Sequence, residues 1–212
     1  MIVFCDFDGT ISNRDVGNRF SHHFSGGATD AIVQAWMEGK IDSKECLEKE
    51  CALAQASQEE LREFVLSEEI DPHFPELVGL LREKKVPLVV LSDGLDFYIN
   101  LLFAKYGLDN IEFYANRLQF KDGRLIPRFP YYEEGCNSCG NCKKYHFQRL
   151  YPQNKPRIYI GDGLSDKHVA ELADILFAKD DLAKICDEGG IKYQPFTDLG
   201  DVAVAIRSMI QK

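Results

Sequence analysis

Apolar residues are distributed along this chain in two rhythms. Four short runs, Ile2–Cys5, Val86–Leu91, Arg157–Ile160 and Ile175–Ala178, have the length and near-continuous apolarity of strands covered on both faces. Between them lie stretches whose apolar positions recur three and four residues apart, the spacing of one helix face. Phe74–Lys84, Leu95–Tyr106, Lys144–Leu150, Asp166–Ala173 and two further stretches near the end follow that second rhythm. Strands alternating with helices predict an α/β fold: a three-layer, doubly wound parallel sheet. Two shorter strands are expected at Ile111–Ala115 and Leu118–Phe120, closed by a turn at Lys121-Asp122-Gly123. A loop rich in Tyr, Glu, Gly and Cys follows, over residues 126–142.

Residues 13–71 break the alternation, because nothing in them reads as a core strand. Phe20, Phe24, Ile32, Trp36 and Leu47 have helical spacing, and Gly26-Gly27 and Gly39 punctuate them. Asp42-x-x-Glu45 and Ser57-x-x-Glu60 have the form of capping boxes, which begin helices by satisfying exposed N–H groups. The chain therefore divides into a core of residues 1–12 and 72–212 and a helical insertion of residues 13–71, with Trp36 expected in the insertion's own core.

In a doubly wound sheet, ligands bind beyond the carboxyl ends of the strands. Asp6 and Asp8 follow the first strand, Ser92-Asp93-Gly94 the second, and Gly161-Asp162-Gly163 with Asp166 a later one. Such carboxylates repel one another when gathered, and a divalent cation removes that penalty. Hard oxygen ligands with room for water suit Mg²⁺. A cation so held screens a phosphate's charge, letting a carboxylate reach phosphorus. An Asp can take the phosphoryl group, a second Asp two residues later can serve as acid and base, and Ser92 can hold phosphoryl oxygens. Lys143 or Lys144 is the candidate for the remaining positive charge.

Composition narrows the partners. The formal net charge is −9. An acidic surface repels nucleic-acid backbones and anionic membranes, so neither is an expected partner, and a small phosphorylated metabolite is also repelled unless local positive charge or a bound cation offsets the field. No apolar run approaches the roughly 20 residues that cross a bilayer, and the short apolar start is not expected to act as a signal peptide. Seven cysteines without an export signal suit a reducing cytoplasm.

Asp6-Phe7-Asp8-Gly9-Thr10, Ser92, a later lysine and Gly161-Asp162-Gly163-Leu164-Ser165-Asp166 resemble, in order, the four motifs of the haloacid dehalogenase-like hydrolase superfamily. An insertion directly after the first motif is similar to the cap of the phosphoserine-phosphatase-like branch. Leu91-Ser92-Asp93-Gly94-Leu95-Asp96-Phe97-Tyr98 and Cys136-x-x-Cys139-x-x-Cys142-Lys143 resemble the methionine-salvage phosphatases that act on 2-hydroxy-3-keto-5-methylthiopentenyl-1-phosphate. They also resemble the phosphoethanolamine/phosphocholine phosphatases.

This resemblance implies roles. Asp6 is the expected nucleophile and Mg²⁺ ligand, and Asp8 the acid/base with its carbonyl on the metal. Ser92 and the N–H of Asp93 would bind phosphate, with Lys143 stabilising the transferring group. Asp162 would ligate Mg²⁺, Asp166 would support it through water, and Asp15 would face the substrate from the cap. One position departs from the pattern. Ser92-Asp93-Gly94 stands where this branch often has Ser-Gly-Gly, and the extra carboxylate is unfavourable beside a phosphate unless it points away.

Cys136, Cys139, Cys142 and His146 read C-x₂-C-x₂-C-x₃-H, a ligand set that can hold Zn²⁺. The alternative is a loop of free thiols that shapes the pocket. Cys5, Cys46, Cys51 and Cys186 lie in apolar or helical contexts and are expected buried. Two rivals use the same features differently. A signalling receiver also gathers acidic residues and a phosphorylated Asp on such a sheet, but lacks a second Asp in Asp8's place and a helical lid. A Cys-rich metal-binding module would leave the phosphatase site inactive.

Overall fold

The computed structural model describes residues 1–211. The first strand, β1 (Ile2–Cys5), is wholly buried and lies at the centre of the sheet. Four helices follow: α1 (Val16–Ser25), α2 (Asp30–Met37), α3 (Ser43–Leu53) and α4 (Gln58–Ser67). The alternation then resumes with α5 (Phe74–Glu83), β2 (Leu88–Leu95), α6 (Asp96–Lys105), β3 (Glu112–Lys121) and β4 (Arg124–Arg128). The remainder comprises α7 (Lys143–Arg149), β5 (Arg157–Gly161), α8 (Lys167–Ala170), β6 (Ile175–Ala178), α9 (Asp180–Gly189), β7 (Gln194–Pro195) and α10 (Leu199–Ile210).

Among the described residues the sheet has seven strands in the order β4-β3-β2-β1-β5-β6-β7. All neighbours are parallel except β3 and β4. The order reverses on either side of β1, so the carboxyl ends of β1, β2 and β5 flank one crevice. Alternate residues of β1 face opposite layers. Val3 and Cys5 join a core with Leu77, Leu81, Leu102, Phe103 and Val202, whereas Ile2 and Phe4 pack against Phe147, Val169, Leu182 and Cys186. These are the three expected layers.

Three local expectations change. Strand β2 begins only at Leu88, because Pro87 lacks an N–H for the ladder, and it continues through Ser92-Asp93-Gly94 with a register shift between Leu91 and Leu95. The two short strands merge into β3, which pairs antiparallel with β4 through a turn whose Asp122 and Gly123 both have positive φ. The second half of β4, from Ile126, reads as loop in the sequence, since Pro127 disguises an edge strand.

A bridge between Ser12 and Ile70 and a hydrogen bond from Asp71 N to Ile11 O (2.8 Å) close the base of the helical stretch. Ser57 and Glu60 form the reciprocal capping box. Asp42 caps Glu45 N, but the Glu45 side chain turns to Lys49 (2.6 Å), so that box is half made. Trp36 is not core: no residue of α2 is buried, and its indole lines a cavity above the sheet.

Candidate active site

Four buried or half-buried carboxylates meet at the crevice. Oxygens of Asp6, Asp162 and Asp166 lie within 4.8 Å of one another, although Asp6 and Asp162 are far apart in the chain. Lys143, 3% exposed, reaches into the group from the start of α7. Its Nζ donates to Asp6 Oδ1 (2.6 Å), Asp166 Oδ1 (2.6 Å) and Ser165 Oγ (2.8 Å). Phe7 N also donates to Asp6 Oδ1 (2.7 Å).

Asp166 is fully occupied. Tyr159 Oη and Lys143 donate to its Oδ1, while the N–H groups of Asp162 and Gly163 donate to its Oδ2. This carboxylate braces Lys143 and the loop that carries Asp162. Its four donors describe a bracing role, while one of its oxygens also lies in the group that could hold a metal.

The electrostatics record missing positive charge. Burial and then the charge of Asp166 push Asp6 well above the usual carboxylate range. The same two causes raise Asp162 to about 6, against a hydrogen bond from Thr10 Oγ1 (2.5 Å). Burial opposes the charge on Lys143, but Asp166 and Asp6 overcome it and raise its pKa. One lysine does not neutralise this many carboxylates, so the donor set fits a hard divalent cation. Gly9, with φ +78°, lets the chain pass Asp162: a Cβ there would strike that carboxylate.

Asp8 points to the other side of the crevice. Its Oδ1 accepts from Val16 N (3.0 Å), and its Oδ2 from Tyr98 Oη (2.7 Å) and Ser92 Oγ (3.2 Å). Burial, followed by the charge of Asp15, raises it to about 7. Gly94 leaves room for this arrangement, since a Cβ there would collide with Tyr98 Oη. Above the carboxylates lies a cavity of about 350 Å³. Asp6, Asp8, Ser92, Lys143 and Asp162 form its floor, and Val33, Trp36, Met37 and Leu47 its roof.

Residues 3–171 match the model of the haloacid dehalogenase-like hydrolase family. The chain belongs to this family. It is 30% identical, over all of its length and 97% of the relative's, to a 2-hydroxy-3-keto-5-methylthiopentenyl-1-phosphate phosphatase of Brevibacillus brevis. It is 33% identical over 95% of its length to the bifunctional enzyme MtnB/MtnX of Bacillus licheniformis, of which the match covers 48%. Among solved structures, a phosphoserine phosphatase captured as a phospho-aspartyl intermediate analogue superposes with a TM-score of 0.73. At 22% identity, covering 95% of this chain and 96% of that one, it supports the haloacid dehalogenase-like fold.

Within this haloacid dehalogenase-like site the departure at Asp93 is resolved by direction. Asp93 lines the cavity, but its carboxylate is directed to protein donors, accepting from Ser43 Oγ (2.5 Å), Asn141 N (2.6 Å) and Asn116 Nδ2 (3.3 Å). The extra charge thereby ties the start of α3 to the loop preceding Lys143. Burial still raises it to about 6. Asp15 caps α1 through Asn18 N (2.7 Å) and also lines the cavity. Lys144, the alternative lysine, is exposed and outside the site.

The sequence patterns contain Thr10, Tyr98 and Ser165 but assign them no role, and they pass over Asn141. Asn141 is the hub of the loop: its Nδ2 donates to Ser92 O (2.8 Å) and Tyr114 O (3.0 Å), joining two neighbouring strands. Only its place beside Cys142-Lys143 hinted at this.

The proposed fourth cysteine-cluster ligand, His146, is corrected. Helix α7 turns it inward, where its Nε2 donates to Asn141 Oδ1 (2.6 Å) and its Nδ1 accepts from Arg149 (3.0 Å). Burial and Arg149 lower it to about 3, and with both nitrogens engaged it ligates nothing. Cys5, Cys46, Cys51 and Cys186 are buried, as expected. Cys142 is drawn down to about 5, chiefly by the Cys139 thiol beside it.

Proposed function

We propose that this phosphatase is a Mg²⁺-dependent phosphomonoester hydrolase that works through a phospho-aspartate at Asp6 and takes 2-hydroxy-3-keto-5-methylthiopentenyl-1-phosphate. The observation that carries this reading is the cavity's make-up: a charged floor faces a cap side on which Val33, Trp36, Met37 and Leu47 supply apolar surface beside Asp15 and Glu50. A phosphate at the floor leaves a methylthio-bearing chain against that roof. The Brevibacillus relative's name supports the same substrate. Residues 13–71 act as the cap that supplies this roof.

Asp6 and Asp162, with the backbone carbonyl of Asp8, would hold Mg²⁺, with Asp166 behind them. The ion supplies charge screening for the incoming phosphate. Lys143 and Phe7 N hold Asp6 Oδ1 and so orient the carboxylate for attack on phosphorus. As the Asp6 oxygen–phosphorus bond forms, the ester oxygen–phosphorus bond breaks. Protonated Asp8 gives its proton to the departing alkoxide, which suits a carboxyl poised near neutrality. Asp8 then takes a proton from water as that water attacks the phospho-aspartate, releasing phosphate and restoring Asp6. Ser92 and the N–H of Asp93 bind the phosphoryl oxygens.

A second reading, phosphocholine or phosphoethanolamine hydrolysis, draws on one feature. Asp15 and Glu50 line the cavity with Trp36, and together they could receive a cationic head. Phosphoserine is less suited, because Lys143 is the sole cation lining the cavity, among the described residues, to meet its extra carboxylate. The thiols and the absence of any helix long and apolar enough to cross a membrane, among the described residues, accord with work in a reducing cytoplasm.

A screen of these phosphate esters with Mg²⁺ and with EDTA tests the proposal. The methylthio-ketopentenyl phosphate should give the highest kcat/KM, and EDTA should abolish turnover until Mg²⁺ is restored. A preference for phosphocholine would overturn the substrate, and turnover indifferent to EDTA would overturn the metal.

A further inference from the structure

Outside the phosphatase site, one cluster of ligating side chains is unused. Sulfurs of Cys136 and Cys139 and a ring nitrogen of His168 lie within 4.8 Å of one another. Cys139 Sγ is 3.8 Å from His168 Nδ1. The third thiol of the loop, Cys142, is near enough to interact with both other thiols, but its sulfur lies outside that 4.8 Å group. His168 comes from α8, beyond the fourth motif, whereas the cysteines occupy the loop ahead of α7. We propose that Cys136, Cys139, Cys142 and His168 form a structural Zn²⁺ site that staples the lysine-bearing loop to α8.

Tetrahedral zinc with its usual bond lengths places thiolate sulfurs about 3.7 Å apart and sulfur and imidazole nitrogen about 3.5 Å apart. The Cys139–His168 separation of 3.8 Å is already close to that value and Cys136 lies within 4.8 Å of both, so three ligands are gathered and Cys142 moves in to complete the set. Three thiols give up their protons on binding, so with a neutral imidazole the complex carries one net negative charge. Lys144 and Lys167 stand near enough to act on His168 through their charge, and they complement that anion. Cys136 is exposed, which gives the ion a route in, while Cys142 is buried and anchors the site.

The site's position gives it a use distinct from catalysis. The loop from Cys136 to Cys142 ends at Lys143, and His168 lies two residues after Asp166. Zinc joining them would hold the Lys143–Asp166 pair together from outside. The same loop receives the cap, through Ser43 N to Ser138 O (3.1 Å) and Gly140 N to Ser43 Oγ (3.1 Å).

The test is the metal content of the full chain purified under reducing conditions without chelator. Close to one zinc per chain is expected. Replacement by Co²⁺ should give thiolate-to-cobalt charge-transfer bands and the intense visible bands of a tetrahedral ion. His168→Ala, at an exposed position, should weaken zinc affinity about 100-fold in competition with a colorimetric chelator. His22→Ala, in the exposed part of α1, should leave it unchanged. Cys139→Ser should behave as His168→Ala; if it does not fold, the histidine variant decides alone. Zinc well below one per chain with no uptake on titration, iron in place of zinc, or a cobalt spectrum unaltered by His168→Ala would each overturn the assignment.

Discussion

The floor and the roof of the cavity are built on opposite terms. On the floor, short hydrogen bonds lock the groups: Lys143 serves Asp6, Asp166 and Ser165, while Asp166 takes four donors. Three of the four roof residues lie on α2, none of whose residues is buried, and Met37 is 51% exposed, whereas Leu47 on α3 is buried. A preorganised floor fixes which bond breaks, because the charges are already aimed. A half-exposed apolar roof sets what lies beyond the phosphate, through contacts of modest individual worth. Chemistry and choice of substrate are thus separable in this fold.

Lys143→Met strikes the floor hardest. It leaves two buried carboxylates without their cation, so kcat should fall about 10²- to 10³-fold. Stability should drop by about 3–5 kcal/mol, read by denaturant unfolding. Retention of both would show that Lys143 is not the organising charge. Trp36→Ala should act on the roof alone. We expect KM for the methylthio substrate to rise about tenfold with kcat held, and turnover of a small phosphate ester without an apolar tail to be unchanged. A fall in kcat for both substrates would merge the two regions that the structure separates.

A third prediction concerns stability alone, in the cap's interior. Glu50 is buried and hydrogen-bonded to Ser21 (2.7 Å); burial, opposed by that bond, raises it to about 7 from 4.5. A raised carboxyl keeps its proton longer in the folded chain than in the unfolded one. Its stabilising contribution is full below pH 4.5 and lost as pH rises through about 7. Glu50→Gln should therefore flatten stability across that window, gaining up to about 3 kcal/mol relative to wild type at pH 8. Parallel pH profiles for the two proteins in urea unfolding would contradict it.

Much of the floor was legible in the sequence because its carboxylates directly follow buried strands, where topology alone makes them converge. Asp6 after Ile2–Cys5 and Asp162 after Arg157–Ile160 needed no contact information. Thr10, Tyr98 and Asn141 had no role assigned from sequence because their value lies in partners distant in the chain: Asp162, Asp8 and Ser92. The cysteine loop misled for a related reason. Sequence spacing put His146 with the thiols, but α7 rotates it into the core, and the histidine beside Cys139 comes from another element. Trp36 was misplaced because helical spacing gives an apolar face without saying whether that face meets protein or a cavity. The second half of strand β4 was hidden by Pro127, which an edge strand accommodates.

The central claim is that a carboxylate cluster drawn together by the sheet makes Asp6 a nucleophile toward phosphorus. Turnover by Asp6→Asn, in protein whose circular dichroism matches wild type, tests it most directly. The account predicts a fall of at least about 10³-fold in Mg²⁺ with the fold intact. Near-wild-type turnover by that variant would contradict it.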